Sequence, residues 1–248
     1  MDVFERAHDQ MLLPDFGRVG QERLVNARVL CARIGGLGGP AALELAAAGV
    51  GELRVAHGEV LTAANMNRMI AMDDSCAGEL ACGSGVEGLK RVNGDVRIEA
   101  WDRDVDSLEF AMELVDGMDA VLSAPPFSEQ RMLINRACVE QGVPLVDAAM
   151  KGWEAQVCVM LPGRTGCLAC VCPNPPLLPR PFPVLGAVSA VAGAIAATEV
   201  IKLIVGVPGG QEGQLLRMDL SRWTFRKMAV PRRPDCTVCG RETDLPPC

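Results

Sequence analysis

Three features of the sequence predict an α/β fold with a doubly wound, mostly parallel sheet of the Rossmann type. Short apolar runs alternate with helix-forming segments along residues 21–147. One run, beginning at Arg28, leads through a glycine cluster into the alanine-rich segment 41–49, and such a strand, tight turn and helix form the unit that lays a phosphate on helix amides. Two Cys-x-x-Cys pairs after residue 160 predict a zinc-bearing C-terminal part.

Hydrophobic periodicity predicts the remaining elements. Helices are expected at 21–26, 63–72, 85–92, 108–115 and 128–141, and strands at 52–56, 95–101, 119–124, 143–147, 157–161 and 214–219. The proline-rich segment 173–183 is expected to be an irregular loop. A length of 248 residues suits one domain, 1–248, with a nucleotide-binding-like half at 1–150 and a zinc-bearing, partner-binding half at 151–248.

The glycine turn departs from the usual Gly-x-Gly-x-x-Gly pattern at its first position, which holds Arg33. Gly35 and Gly38 keep the other two glycines and are candidates for contact with a nucleotide. The first position normally needs an open turn and a close approach of the backbone. Arg33 therefore either blocks a nucleotide or meets its phosphates in a different way.

The cysteines indicate metal chemistry. The chain has eleven of them and shows no secretory signal at its N-terminus, which favours a reducing, cytoplasmic setting over a disulfide scaffold. Four form the pairs Cys167-x-x-Cys170 and Cys236-x-x-Cys239, the spacing of a closed tetrahedral zinc site. Four thiolates leave no open position for catalysis, so the predicted zinc is structural.

Charge and hydropathy exclude some partners and favour others. A net charge of −7 and an isoelectric point near 5.0 predict no binding to nucleic acid or to an anionic membrane surface. The segment 184–206 is nearly all apolar, but it is rich in Ala and Gly and carries Glu199 and Lys202 in its last turns. We therefore expect a buried or subunit-interface helix rather than a membrane span, and a homodimer.

These residues and motifs together resemble a known family, ThiF/MoeB/HesA, the prokaryotic relatives of ubiquitin-activating enzymes. The matching segments run nearly end to end: 13–17 with 20–24, 35–38 with 47–51, 65–68, 186–206, and the two Cys-x-x-Cys pairs. Members of that family bind ATP and Mg²⁺ and adenylate the C-terminal carboxylate of a small ubiquitin-like or sulfur-carrier protein. The resemblance implies these cofactors, a protein or peptide tail as partner, and a thiolate-bound zinc.

Part of the family's site is kept. Asn65 and Arg68 match the polar pair that contacts phosphate, and the guanidinium fork of an arginine suits two phosphate oxygens. The acidic residue that ends the second strand in the family aligns with His57 or Ala56, although Glu59 lies near enough to substitute for it.

Other parts of the family's site are lost. An N-terminal arginine of the family aligns with Asp9, its catalytic lysine with Ala81, and its metal-binding aspartate with the segment Pro125-Pro126-Phe127. Because removal of one transition-state donor commonly costs about 10²- to 10³-fold in rate, these losses together predict a deficiency in ordinary adenylation, with ATP and Mg²⁺ not used in the ordinary way.

Three functions fit this pattern. The first is an adenylation-deficient protein that still binds the tail of a small ubiquitin-like protein, a sulfur carrier or a peptide. The second is a working adenylyltransferase with relocated groups, in which Arg33, Arg68, Glu59 and Lys151 carry the chemistry. The third is an enzyme or binding protein for a different small molecule in the remodelled cleft.

Overall fold

One eight-stranded sheet organises the chain. A computed structural model describes residues 2–175, 181–208 and 211–240. The strands are β1 Arg28–Ala32, β2 Glu52–Ala56, β3 Arg97–Trp101, β4 Ala120–Ser123, β5 Leu145–Lys151, β6 Glu154–Met160, β7 Gln214–Asp219 and β8 Thr224–Ala229. Their order is β3-β2-β1-β4-β5-β6-β7-β8, parallel from β3 to β5 and antiparallel from β5 to β8.

Helices cover both faces of this sheet, which confirms the doubly wound α/β prediction. They are α1 Val3–Arg6, α2 Gly17–Asn26, α3 Gly38–Ala48, α4 Ala81–Val92, α5 Leu108–Val115, α6 Ser128–Gln141, α7 Leu168–Val171 and α8 Gly186–Val205. Helices α3 and α8 pack over one face and α5 and α6 over the other, so the buried apolar side chains form a separate layer on each side. The proline-rich loop predicted at 173–183 falls partly outside the described residues, which omit 176–180.

Two sequence predictions of secondary structure are corrected. The predicted helix at 63–72 is only a 3-10 turn, Ala63–Asn65, at whose start the side chain of Asn65 accepts hydrogen bonds from the backbone N–H and the hydroxyl of Thr62. The chain then turns, and Met69 and Ala71 are buried without a helix. Strand β8 was not predicted, since all six of its residues are exposed and it lacks the apolar alternation of a half-buried strand.

Helix α8 is the one helix in the described parts of the chain that is long and apolar enough, by length and composition, to cross a membrane. It packs on α2 and α3 and on strands β4 to β6. The buried side chains share one face and include Val188, Ala192, Ala196 and Val200. The exposed residues lie opposite and include Ala187, Val191, Ala194 and Thr198. This one-sided burial is typical of a helix laid over a sheet.

A glycine on α4 allows this helix to approach the segment that precedes it. A Cβ at Gly88 would lie 1.8 Å from the backbone oxygen of Ala71, whereas a Cβ at Gly83 on the same helix would meet no atom within 4 Å. We expect Gly88→Ala to lower the free energy of unfolding by about 1–3 kcal/mol, and the control Gly83→Ala to raise it by up to about 1 kcal/mol. Urea unfolding measures both. Equal effects of the two substitutions would contradict this packing.

Candidate functional site

Two adjoining cavities lie at the carboxyl edge of the parallel strands, where doubly wound folds bind ligands. The smaller, about 110 Å³, lies over the glycine turn, and its lining includes Arg33, Gly35, Glu59 and Arg68. The larger, about 370 Å³, lies between β5, β6 and the short helix α7. Both cavities are lined by Pro126, Arg131, Ala149 and Met150, so they form one continuous cleft.

Arg33 occupies the glycine position of the turn with a glycine-like backbone. Its φ is 77°, a left-handed conformation that costs a non-glycine residue roughly 1–2 kcal/mol. The residue is 6% exposed. One guanidinium nitrogen donates to Asp104 Oδ1 over 2.8 Å, and the other donates to Glu59. Two carboxylates therefore surround this cation, which is no longer an unpaired charge available to a phosphate.

The two acidic residues that hold Arg33 are themselves fixed by backbone hydrogen bonds. The backbone N–H of Gly58 donates to Asp104 Oδ1 over 3.1 Å, and Ala81, at the start of α4, donates its N–H to the backbone oxygen of Glu59 over 3.0 Å. The Ala81 side chain is fully buried beside this corner. The position that the resemblance assigns to a catalytic lysine thus carries no charge.

His57 is fully buried at the end of β2, where the resemblance expects an acidic residue. Within the described residues neither ring nitrogen has a hydrogen-bond partner, and Nε2 lies 3.6 Å from Glu59 Oε2. Because Glu59 is bound to Arg33, the corner that should hold ribose hydroxyls has its nearest carboxylate already engaged.

Arg68 is the best-placed cation for an anionic ligand. It lines the smaller cavity, and one of its nitrogens donates to the backbone oxygen of Ala64 and to Asn67 Oδ1, both over 2.8 Å. Burial lowers the pKa of Arg68, Glu59 opposes that shift, and Arg33 adds to it. The group remains a cation, because an arginine side chain is effectively always protonated in proteins.

The other predicted residues lie around these two cavities rather than together in one. Gly35 lines the smaller cavity. Gly38 begins α3, and a Cβ there would lie 2.0 Å from the backbone oxygen of Arg33, so its role is close packing of the turn. Asn65 is buried and uses its side-chain oxygen in the 3-10 cap. Lys151 is exposed and lines the larger cavity, apart from Arg33 and Glu59.

Sequence reasoning missed an ion pair at the junction of the cavities. Arg131, on the first turn of α6, donates through Nε to Asp147 Oδ1 over 2.9 Å and through a second nitrogen to Oδ2. Asp147 is fully buried on β5. Burial alone would lower the pKa of Arg131, but its attraction to and hydrogen bonding with Asp147 raise it. The sequence offered one signal for this ion pair, the cation Arg131 one helical turn after the Pro125-Pro126 segment.

The four predicted metal ligands come together. The Sγ atoms of Cys167, Cys170, Cys236 and Cys239 all lie within 4.8 Å of one another. Two of the separations are 3.7 Å (Cys167 to Cys236) and 3.4 Å (Cys170 to Cys239). A tetrahedral ion with Zn–S bonds of about 2.3 Å would place its sulfurs roughly 3.8 Å apart, so the cluster fits zinc.

Neighbouring residues hold this cluster in place. The carbonyl oxygen of the buried Asn135 side chain accepts a hydrogen bond from the backbone N–H of Leu168 over 2.8 Å, which ties the first cysteine pair to α6. The backbone N–H of Arg233 points to Cys170 Sγ over 3.5 Å. An N–H···S contact of this kind favours the thiolate form that a metal ion requires.

The mixed sheet with its parallel half, the glycine turn with its adjoining cleft and the cluster of four cysteines define a Rossmann-like protein whose clustered thiols could hold a metal ion. Comparison with known proteins identifies the family within this class. The ThiF family matches residues 7–238, and the chain belongs to that family.

Three relatives illustrate its neighbourhood. The heterocyst protein HesA of Trichormus variabilis is 41% identical over 239 residues, which are 96% of this chain and 89% of that protein. The adenylyltransferase and sulfurtransferase MOCS3 of Mus musculus is 38% identical, over 97% of this chain and 54% of that protein. The sulfur carrier protein adenylyltransferase of Thermus thermophilus is 36% identical, over 97% of this chain and 92% of that protein.

Solved structures share the fold. The structure of E. coli MccB with succinimide matches with a TM-score of 0.83 and 20% identity, over 97% of this chain and 75% of that chain. PaaA matches with a TM-score of 0.78 and 20% identity, over 92% of this chain and 73% of that chain. At these identities the likeness establishes the fold alone.

Proposed function

We propose that this protein binds the C-terminal tail of a small ubiquitin-like or sulfur-carrier protein, or of a peptide, and is deficient in ordinary ATP adenylation. Family membership and relatives named as a sulfur carrier protein adenylyltransferase and an adenylyltransferase and sulfurtransferase support the partner class. The cleft of two joined cavities gives such a tail a place to lie.

The deficiency rests on one observation above all, the side chain of Arg33. It fills the turn where a glycine would let a nucleotide approach the backbone, and it takes the Glu59 carboxylate that could have held ribose. Ala81 and Pro126 add to this, because neither supplies the cation or the metal carboxylate that the resemblance expects at those positions.

Ligand-induced stabilisation tests the proposal. A ligand at about 100 times its dissociation constant stabilises a protein by about 2.7 kcal/mol, which scanning fluorimetry detects as a higher Tm. We expect millimolar Mg²⁺-ATP to leave the Tm unchanged and a carrier protein with a free C-terminal tail to raise it. A Tm raised by ATP alone would contradict the deficiency, and a Tm unmoved by any tail would contradict the partner class.

A second candidate function is a working adenylyltransferase with relocated groups. Arg68 favours it, since this cation lines the smaller cavity and makes no ion pair within 4 Å in the described parts of the chain. Arg33, Glu59 and Lys151 would complete the set, but the first two would have to separate to reach a nucleotide. ATP binding in the same Tm measurement would favour this candidate.

We further propose that the cysteine cluster holds one structural Zn²⁺ and that the protein works in the cytoplasm, where thiols stay reduced. In this arrangement residues 1–150 serve as the nucleotide-binding-like half and residues 151–248 as the zinc-bearing, partner-binding half. Mg²⁺ and ATP are not assigned as resident cofactors.

A homodimer is proposed from the outer face of α8. This face is exposed and carries small or apolar side chains, including Val191, which is 38% exposed. We expect light scattering at micromolar concentration to report a dimer, and Val191→Glu to shift it to a monomer because a charge would be buried at the interface. A wild-type monomer would contradict the proposal. The control Val19→Glu, at an exposed position of α2, should leave the mass unchanged.

A further inference from the structure

The larger cavity has a size and chemistry that a tail ending in Gly-Gly, the ending that the family resemblance implies for a carrier protein, does not use. Its volume of about 370 Å³ lies in the range of pockets that hold a ligand. Glycine has no side chain to place there, so a Gly-Gly tail would leave this volume to water. A tail whose last residue has a side chain would fill this cavity better than a tail that ends in glycine.

The lining separates into an apolar floor and a charged mouth. Leu168 is buried, and Met132 and Val171 are half-buried; all three belong to the same apolar layer. Lys151 and Arg217 are exposed. An apolar side chain placed on the floor would be removed from water, while the chain leading to it would pass between the charged residues at the mouth.

Strand register extends the mouth into an open sheet face. The register pairs Ala149 with Gln156, Gln156 with Arg217, and Arg217 with Arg226, so these four residues form one row across β5 to β8. Lys151, Glu154, Asp219 and Thr224 form the next row on the same face, because side chains two apart along a strand share a face.

This face is more positive than the protein as a whole. Three cations stand on it, Lys151, Arg217 and Arg226, against two carboxylates, on a chain whose net charge is −7. Arg217 is paired with Glu154 over 2.8 Å, while Lys151 and Arg226 make no ion pair in the part of the chain that the structure describes. An acidic segment is the complementary partner.

The junction fixes the direction of a bound tail. Arg68 lines the smaller cavity and makes no ion pair in the part of the chain that the structure describes, whereas Arg131, which lines both cavities, is already bound to Asp147. A tail that enters across the sheet face with its carboxylate toward Arg68 places the side chain of its last residue over the floor of the larger cavity.

We propose that the larger cavity is a specificity pocket for the last residue of the bound tail, that this residue is large and apolar, such as Leu, Met or Phe, and that acidic residues precede it. This inference rests on the proposed function, since it concerns the tail that the cleft receives. The tail inferred here ends in a large apolar residue instead of two glycines.

Fluorescent peptides of ten residues test the pocket with the full-length chain. Three share one acidic sequence and end in Leu, in Gly-Gly, or in Leu with a C-terminal amide. By anisotropy we expect the Leu peptide to bind about 10- to 100-fold more tightly than the Gly-Gly peptide, the gain from burying a side chain of that size. The amide should bind at least tenfold more weakly than the free acid.

Variants separate the pocket from the charged face. Met132→Trp should fill the floor and remove the preference for Leu, while the volume-conserving Met132→Leu should keep it. Arg226→Glu should weaken binding of the acidic peptide, whereas Lys227→Glu makes the same charge change on the opposite face of β8 and should not. Circular dichroism and zinc content identify any variant that fails to fold.

Two of the outcomes separate this inference from the proposed function. Equal binding of the Leu and Gly-Gly peptides would overturn the specificity pocket and leave tail binding intact. Equal effects of Arg226→Glu and Lys227→Glu would overturn recognition of acidic residues. Failure of all free-acid peptides to bind would overturn both the inference and the proposed function.

Discussion

ATP–pyrophosphate exchange by the wild-type chain is expected to be undetectable with Mg²⁺ and any free C-terminal tail. The exchange requires a nucleotide held at the glycine turn, cations on its phosphates and a carboxylate for the metal. Arg33 fills that turn and is paired with Glu59 and Asp104. Ala81 and Pro126 supply neither charge. Removal of one such group commonly costs about 10²- to 10³-fold, so if the resemblance aligns these positions as proposed, the combined cost puts the rate below detection.

Restoring the family's glycine, lysine and aspartate by substitution tests the same prediction further. The triple variant Arg33→Gly, Ala81→Lys, Pro126→Asp should recover at least nucleotide binding, measured by titration of a fluorescent ATP analogue. The single variant Arg33→Gly should recover less, because it opens the turn and frees Glu59 without restoring the lost lysine and aspartate.

Two results would count against the deficiency. Robust exchange by the unmodified chain would promote the relocated-site function, and Lys151→Ala would then show whether the exposed lysine of the larger cavity takes part. A triple variant that keeps its fold and zinc but binds no nucleotide would show that the three positions do not account for the loss.

Loss of one cysteine ligand is expected to have the largest effect on stability. Cys167 caps α7, and its Sγ lies 3.7 Å from Cys236 Sγ, so the ion would join segments that are 69 residues apart. Structural zinc contributes about 10–16 kcal/mol in small zinc-binding peptides, and a domain's whole stability is about 5–15 kcal/mol. We expect Cys167→Ser to lose the metal and to aggregate or unfold, as measured by zinc content and circular dichroism.

A nearby cysteine supplies the control. Cys172 follows α7 directly, is half-buried and is not one of the four clustered thiols. The wild type should contain about one zinc per chain. Cys172→Ser should contain the same amount and unfold with the same transition as the wild type. A wild-type chain that is fully stable without metal, or equal behaviour of the two variants, would show that the cluster does not hold a structural ion.

Local patterns were enough to predict most elements. Helices α5 and α6 and strand β7 have the predicted bounds, and in α5 the apolar residues recur at the helical period. The predicted helix at 63–72 failed because the tertiary packing that buries Met69 and Ala71 outweighs a weak helical pattern. Strand β8 carries no burial signal and is fixed by its pairing with β7.

The sequence by itself determined the fold class and the metal ligands, because both depend on short-range spacing: alternation of strands and helices, and two thiols three residues apart. Tertiary structure alone decided the electrostatics of the cleft. Asp104 lies 71 residues from Arg33, and Asp147 lies 16 from Arg131. Whether an arginine can bind a phosphate depends on whether carboxylates within a few ångströms already pair with it. Only the packed chain brings those carboxylates close to the arginine.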